Sequence, residues 1–123
     1  MLGSSELVAF VATSDRVHAK RFYGDVLGLV MESDSPFAVV YKTPSATLRV
    51  TVVEKVVAAP YTVAGWTVDD ISTTIGHLAD KGVQFARFEG VEQDEKGIWR
   101  SPTGAQVAWF RDPDGNLLSI TQA

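Results

Sequence analysis

Few residues in this 123-residue chain can do bond-making chemistry. Cysteine is absent, which removes thiol nucleophiles, disulfides and thiolate-bound metals. There are two histidines. His18 stands between Val17 and Ala19, and His77 between Gly76 and Leu78, both within predicted helices, where they read as exposed side chains. Zinc, iron, nickel and manganese favour imidazole, carboxylate or thiolate in sets of three or four. Ser14, Ser72 and Ser101 have no His and acid at a spacing that suggests a nucleophilic triad. Glu89, Glu92, Asp94 and Glu95 cluster between two strands with Gly90 and Gly97 around them, and residues 89–97 read as a solvated, mobile loop or, alternatively, a lid over a pocket. Trp99 follows this loop and could close on a ligand, sit in the core or lie at a dimer interface. Two other side chains could recognise a small molecule: Trp109 has a flat face for stacking, and Arg49 a fixed charge with a planar fork for carboxylate or phosphate.

The elements that position these residues come in two similar series. Val8 to Thr13 reads as a strand, followed by Asp15 as a helix cap. Ala19, Phe22, Tyr23, Val26 and Leu27 recur at helical spacing, and Gly28 ends the helix. Three strand-like runs follow, Leu29 to Glu32, Phe37 to Lys42 and Thr47 to Val53, punctuated by Pro36 and Pro44. Val56 to Tyr61 is the connection. The order then repeats: strand Thr62 to Val68, cap Asp69-Asp70, a helix with Ile71, Ile75 and Leu78 on its apolar face, and Gly82 as its stop. Strand-like runs come at Val83 to Glu89, Gly97 to Arg100, Ala105 to Arg111 and Leu117 to Thr121, one short strand more than in the first half. Asp112-Pro113-Asp114-Gly115-Asn116 between the last two is a turn sequence: Pro113 pre-sets one backbone angle, Gly115 accepts positive φ, and the Asp and Asn side chains can bond back to the backbone.

That turn and the apolar residues after it resemble the closing hairpin of the glyoxalase / bleomycin-resistance / dioxygenase families, the vicinal oxygen chelate superfamily. Phe22-Tyr23 with Val26-Leu27-Gly28-Leu29 resembles the same superfamily's first-helix signature. The resemblance spans nearly the whole chain. It implies an α+β fold: two βαβββ modules forming a curved mixed sheet around a cavity, in a single domain over residues 1–123, with modules at about 5–55 and 61–123.

The resemblance also implies four inward-facing positions that usually hold a metal. Two lie seven residues before each capping Asp, at Val8 and Val63. The other two lie on the last strand of each half, at Arg49 and at Ser119, where the family usually has Glu. None is a good ligand for a divalent cation, and Arg49 would repel one. The expectation is therefore no metal and no cofactor. Strand alternation places Glu6, Phe10 and Ala12 in phase with Val8, and Thr47, Thr51 and Val53 in phase with Arg49. Gly65 and Thr67 share phase with Val63, and Leu117 and Thr121 with Ser119. Val107, Trp109 and Arg111 face the cavity, while Phe110 and Trp66 belong to the helix-side core. The expected ligand-binding residues are Phe10, Arg49, Thr51, Trp109 and Ser119, with Trp109 and Arg49 facing one cavity. Arg49 could instead reach a sheet edge or pair with Glu6 or Glu54.

Such a pocket suits a metal-free, bleomycin-resistance-like protein that binds a small apolar or anionic molecule and works as a homodimer. The alternatives are an enzyme of the same superfamily, a lactoylglutathione lyase-like lyase or isomerase acting on a small carboxylated substrate, and a subunit that has lost its chemistry. Glu6 is the only carboxylate in phase with the cavity strands, so no acid–base pair can be read. A net charge of −4 gives no basic footprint for nucleic acid. No apolar stretch approaches the roughly 20 residues that cross a bilayer. The start, Met1-Leu2-Gly3-Ser4-Ser5-Glu6, lacks the charged and apolar regions of a secretory signal, so the expected location is cytoplasmic.

Overall fold

A computed structural model describes residues Met1–Ala123. The chain forms two compact units, Met1–Ala58 and Ala59–Ala123. Each is built on one four-stranded mixed sheet, and the fold is α+β with two βαβββ modules.

In the first unit, β1 (Leu7–Thr13) leads into α1 (Arg16–Lys20). Asp15 caps this helix, its carboxylate accepting the His18 N–H at 3.1 Å. The predicted helix does run on, but it widens into a π-helical stretch over Arg21–Val26, with Leu27 N–H donating to the Phe22 carbonyl at 2.9 Å. Gly28 then reverses the chain at φ +74°, a conformation that side chains disfavour. β2 (Val30–Asp34), β3 (Ala38–Lys42) and β4 (Ala46–Val52) complete the sheet. Its order is β1-β4-β3-β2, with β1 and β4 parallel and the other pairs antiparallel. Ala19, Phe22 and Tyr23 bury their side chains with Val11, Val39, Tyr41, Leu48 and Val50. This face is the module's core.

The second unit repeats the plan with β5 (Ala64–Thr67), α2 (Ile71–Asp80), β6 (Trp99–Arg100), β7 (Gln106–Arg111) and β8 (Leu117–Gln122). The order is β5-β8-β7-β6, again with first and last strands parallel. Asp70 caps α2 by accepting the Thr73 N–H at 3.1 Å. Hydrogen bonds from Thr73 hold its carboxyl below the ordinary Asp range. That contribution to stability is present above the usual Asp pKa and is lost as pH falls through the lower folded value. Ile71, Ile75 and Leu78 are buried, together with Ala108, Phe110, Leu118 and Ile120.

One predicted strand is missing. Residues 83–89 make only a single bridge, Phe85 to Phe110, so the second module has four strands rather than five. The Gln93 side chain satisfies the backbone there: its amide nitrogen donates to the Ala86 and Gly97 carbonyls at 3.0 and 2.8 Å, and its oxygen accepts from Phe88 N–H at 2.9 Å. A side chain that fills these hydrogen-bonding sites leaves no ladder for a neighbouring strand. The acidic segment is tied down in the same way. The Asp94 carboxylate accepts from the Lys96 and Ile98 N–H groups, both at 2.9 Å, while Glu89, Glu92 and Glu95 remain exposed.

Candidate functional site

Each sheet has one face turned away from its helix. In the first module, Val8, Phe10 and Ala12 of β1 alternate with the buried Val11 and Thr13 and so lie on that outer face. Phe10 is 61% exposed. Register across the parallel pair sets Phe10 beside Arg49 and Ala12 beside Thr51. On the other side, β3 sets Val40 beside Arg49. Phe10, Arg49 and Thr51 therefore share one sheet face, with Arg49 near its centre.

Arg49 pairs with neither acid considered for it. The Glu6 carboxylate accepts hydrogen bonds from the Lys42 ammonium and from the Thr47 hydroxyl, the latter at 3.1 Å. The Lys42 bond first, and the Thr47 bond second, hold the Glu6 carboxyl below its ordinary range. Glu6 is thus kept ionised at neutral pH, which leaves it poorly suited to accept and return a proton there. Arg49 is half-buried and takes part in no ion pair or side-chain hydrogen bond. Its guanidinium is available to an anion.

In the second module the outer face is aromatic. Phe110 is buried on the helix side at 1% exposure, and Trp109 beside it faces the other way, half-buried. Trp109 lies across from Ser119 in the β7–β8 register, and Ser119 lies across from Gly65 of β5. The Trp109 indole N–H donates to Thr62 Oγ at 3.1 Å. Its ring meets Phe88 edge-on, centroids 5.5 Å apart, and Trp99 at a tilt, 6.1 Å apart. The Arg111 guanidinium carbon stands 5.7 Å from the centroid of the Phe88 ring, within cation–π range. Of the roles open to Trp99, the structure shows a ring on this face beside Trp109. Phe88 and Thr62 were not picked out from sequence. Phe88 lies in the run 83–89, which makes a single bridge and no ladder, and nothing local marks Thr62 as a partner for an indole.

Gly65 fits because Ser119 occupies the space above it. A Cβ at position 65 would stand 2.4 Å from Ser119 Oγ and 3.1 Å from the Ser119 carbonyl oxygen. The Ser119 hydroxyl thus lies over a backbone notch, beside the Trp109 ring.

These faces contain poor metal donors. Val8 and Val63 are hydrocarbon, Arg49 is cationic, and Ser119 offers one neutral hydroxyl. No three His, Cys, Asp or Glu side chains come close enough together to hold a metal ion. The four positions that the family resemblance points to do not fit a divalent cation. The outer face of the first sheet offers apolar surface and one unpaired guanidinium, and that of the second sheet aromatic rings and hydroxyls. No helix is long and apolar enough to cross a membrane.

Comparison with known proteins agrees with this architecture. The model of the Glyoxalase/Bleomycin resistance protein/Dioxygenase superfamily matches residues 7–120. Among solved structures, the chain is similar to a member of that superfamily from Sphaerobacter thermophilus, at 20% identity and TM-score 0.77 over 100% of both chains. It is similar to a lactoylglutathione lyase from Agrobacterium tumefaciens, at 18% identity and TM-score 0.75 over 98% of this chain and 94% of that one. It is also similar to TioX from Micromonospora sp. ML1, at 17% identity and TM-score 0.73 over 97% of this chain and 98% of that one. At these identities the likeness is one of fold. Comparison with curated proteins gave no match. Matched over residues 7–120 and built from two modules of the same plan, the chain belongs to the Glyoxalase/Bleomycin resistance protein/Dioxygenase superfamily.

Proposed function

We propose that this protein binds a small apolar or anionic molecule without a metal, with Phe10, Arg49, Thr51, Trp109 and Ser119 as the ligand-binding residues. The observation that carries this reading is Arg49. It is a half-buried cation on an outer sheet face, and the one nearby acid in phase with it is already held by Lys42 and Thr47. Trp109 supports it with an aromatic surface braced by Phe88, Trp99 and the bond to Thr62. An enzymatic reading would need groups that exchange a proton near neutral pH, and the ionised, hydrogen-bonded Glu6 is a poor candidate for that role.

The test starts from a ligand found by a thermal-shift screen. Trp109→Ala is expected to weaken its binding by about 1–3 kcal/mol, the worth of a ring face covered by ligand. Arg49→Met keeps most of the aliphatic bulk and removes the charge. Binding of an anionic ligand is expected to fall about tenfold or more, while a neutral analogue is nearly unaffected. Equal loss of both ligands in Arg49→Met would sink the charge role.

We further propose that the protein works as a homodimer with no bound first-row metal. Val8 and Phe10 are exposed apolar side chains on the outer face of the first sheet, a surface that a partner chain would cover. Native mass spectrometry of protein purified without chelator reads both points together. The expected species is twice the 13.3 kDa monomer mass with no zinc, nickel, iron or manganese. A single metal ion per chain would show that the ligand positions are misassigned, and monomer alone at micromolar concentration would remove the dimer.

A further inference from the structure

The helix side of the first module holds a recess of about 470 Å³, lined in part by the helical segment and in part by β3. Arg16, Lys20 and Arg21 supply its cations, and Val17, Leu29 and Met31 its apolar wall. Val17 and Met31 are 63% and 42% exposed, so this wall is open to solvent. Arg16 and Lys20 both pair with Asp34, the Lys20 ammonium at 2.8 Å. Arg21 is exposed, and its guanidinium takes part in no ion pair or hydrogen bond. With Asp25 also in the lining, three cations face two carboxylates, and one positive charge is in surplus.

Beneath the recess lies an unanswered donor. Tyr41 is fully buried, and its phenolic oxygen has no hydrogen-bond partner. A buried hydroxyl in this state is rare, and its donor is unused within the protein. Burial, and then the charges of Asp34 and Asp25, raise the pKa of the phenol above its ordinary value, so it keeps its proton and can only gain by donating it. Gly24 borders the recess beside the phenol, and an added Cβ there would stand in ordinary contact, 3.8 Å from the Tyr41 oxygen. Gly24 also lies in the π-helical stretch, a widening that recurs at functional sites.

We propose that this recess is a second ligand site, separate from the outer sheet faces, and that it takes a small carboxylate with an apolar body. The carboxylate accepts a hydrogen bond from the Tyr41 hydroxyl beside Gly24 and pairs with Arg21. The hydrocarbon lies along Val17, Leu29 and Met31. Arg16 and Lys20 stay with Asp34 and frame the opening.

Hexanoate is a suitable probe, with hexanol and inorganic phosphate as controls, followed by amide shifts in a two-dimensional NMR titration. Hexanoate is expected to give saturable shifts at Gly24, Met31 and Tyr41. Hexanol and phosphate, each missing half of the recognition, are expected to bind about tenfold more weakly. Tyr41→Phe removes only the hydroxyl. It is expected to fold with an unchanged or higher melting midpoint and to lose about tenfold in hexanoate affinity. Arg21→Gln, at an exposed position, should lower affinity without touching the fold, and Gly24→Ala should do the same by placing a methyl group beside the phenol. No saturation at millimolar hexanoate would overturn the proposal, as would unchanged affinity in Tyr41→Phe. Phosphate binding as well as hexanoate would overturn the role given to the apolar wall.

Discussion

Phe110→Ala is expected to cost about 3–5 kcal/mol of stability, the range for a large ring removed from a packed core. Phe110 is 1% exposed, shares its face with the buried Ala108, and meets Phe85 edge-on with centroids 5.5 Å apart. Its removal leaves a ring-sized cavity among side chains that β7 and β8 hold in fixed register. The neighbouring Trp109→Ala is the internal comparison. It removes a larger side chain, but one that is half-buried on the outer face, and without ligand it is expected to cost only about 1 kcal/mol from lost ring contacts and the bond to Thr62. Urea unfolding of the two variants measures the difference. If Trp109→Ala proved the costlier, the two faces of β7 would have to be exchanged, and the ligand residues on that sheet with them.

Asp112→Ala is expected to cost about 2–4 kcal/mol, because one carboxylate organises the whole β7–β8 turn. Asp112 is 6% exposed and Asn116 5%. One Asp112 oxygen accepts from Asp114 N–H at 3.0 Å and Asn116 N–H at 2.9 Å, and the other from the Asn116 side-chain amide at 2.8 Å. Alanine leaves all three donors without this acceptor, two of them on the buried Asn116. Asp112→Asn should fall between the wild type and Asp112→Ala, since its carbonyl can keep the two backbone bonds while its amide meets the Asn116 amide donor to donor. An unfolding midpoint for Asp112→Ala within error of wild type would show that this network contributes nothing net.

The periodic parts of this fold were legible in the sequence. Helical spacing of Ile71, Ile75 and Leu78 marked the buried stripe of α2, and both capping aspartates stand where the strand-to-helix junctions required them. The Asp112 to Asn116 string located the hairpin, and alternation from it gave opposite faces to Trp109 and Phe110. The features that escaped depend on contacts between residues distant in sequence. Gln93 replaces a strand by bonding to Ala86, Phe88 and Gly97, and no pattern in residues 83–89 reports that competition. The sequence leaves Arg49 open to a cavity, a sheet edge or a pair with Glu6 or Glu54; Glu6 turns to Lys42 and Thr47 instead, and Arg49 forms no ion pair. Tyr41 escaped altogether, because the run Phe37 to Lys42 does not report that the phenol is buried without an acceptor, which depends on how the helical segment packs over it.

The parallel pairing of first and last strands has a consequence for how the chain acquires its structure. In each module the strand made first is joined to the strand made last, Val11 to Val50 and Ala64 to Leu118. Hairpins such as β7–β8 close over a few residues and form early, whereas the parallel pairs close loops that contain a whole helix and two strands. During synthesis β5 has to wait, unpaired, until β8 has emerged, and β1 waits likewise for β4. Each module therefore assembles from its later strands back to its first, and the rate at which it does so is set by a contact of high sequence separation.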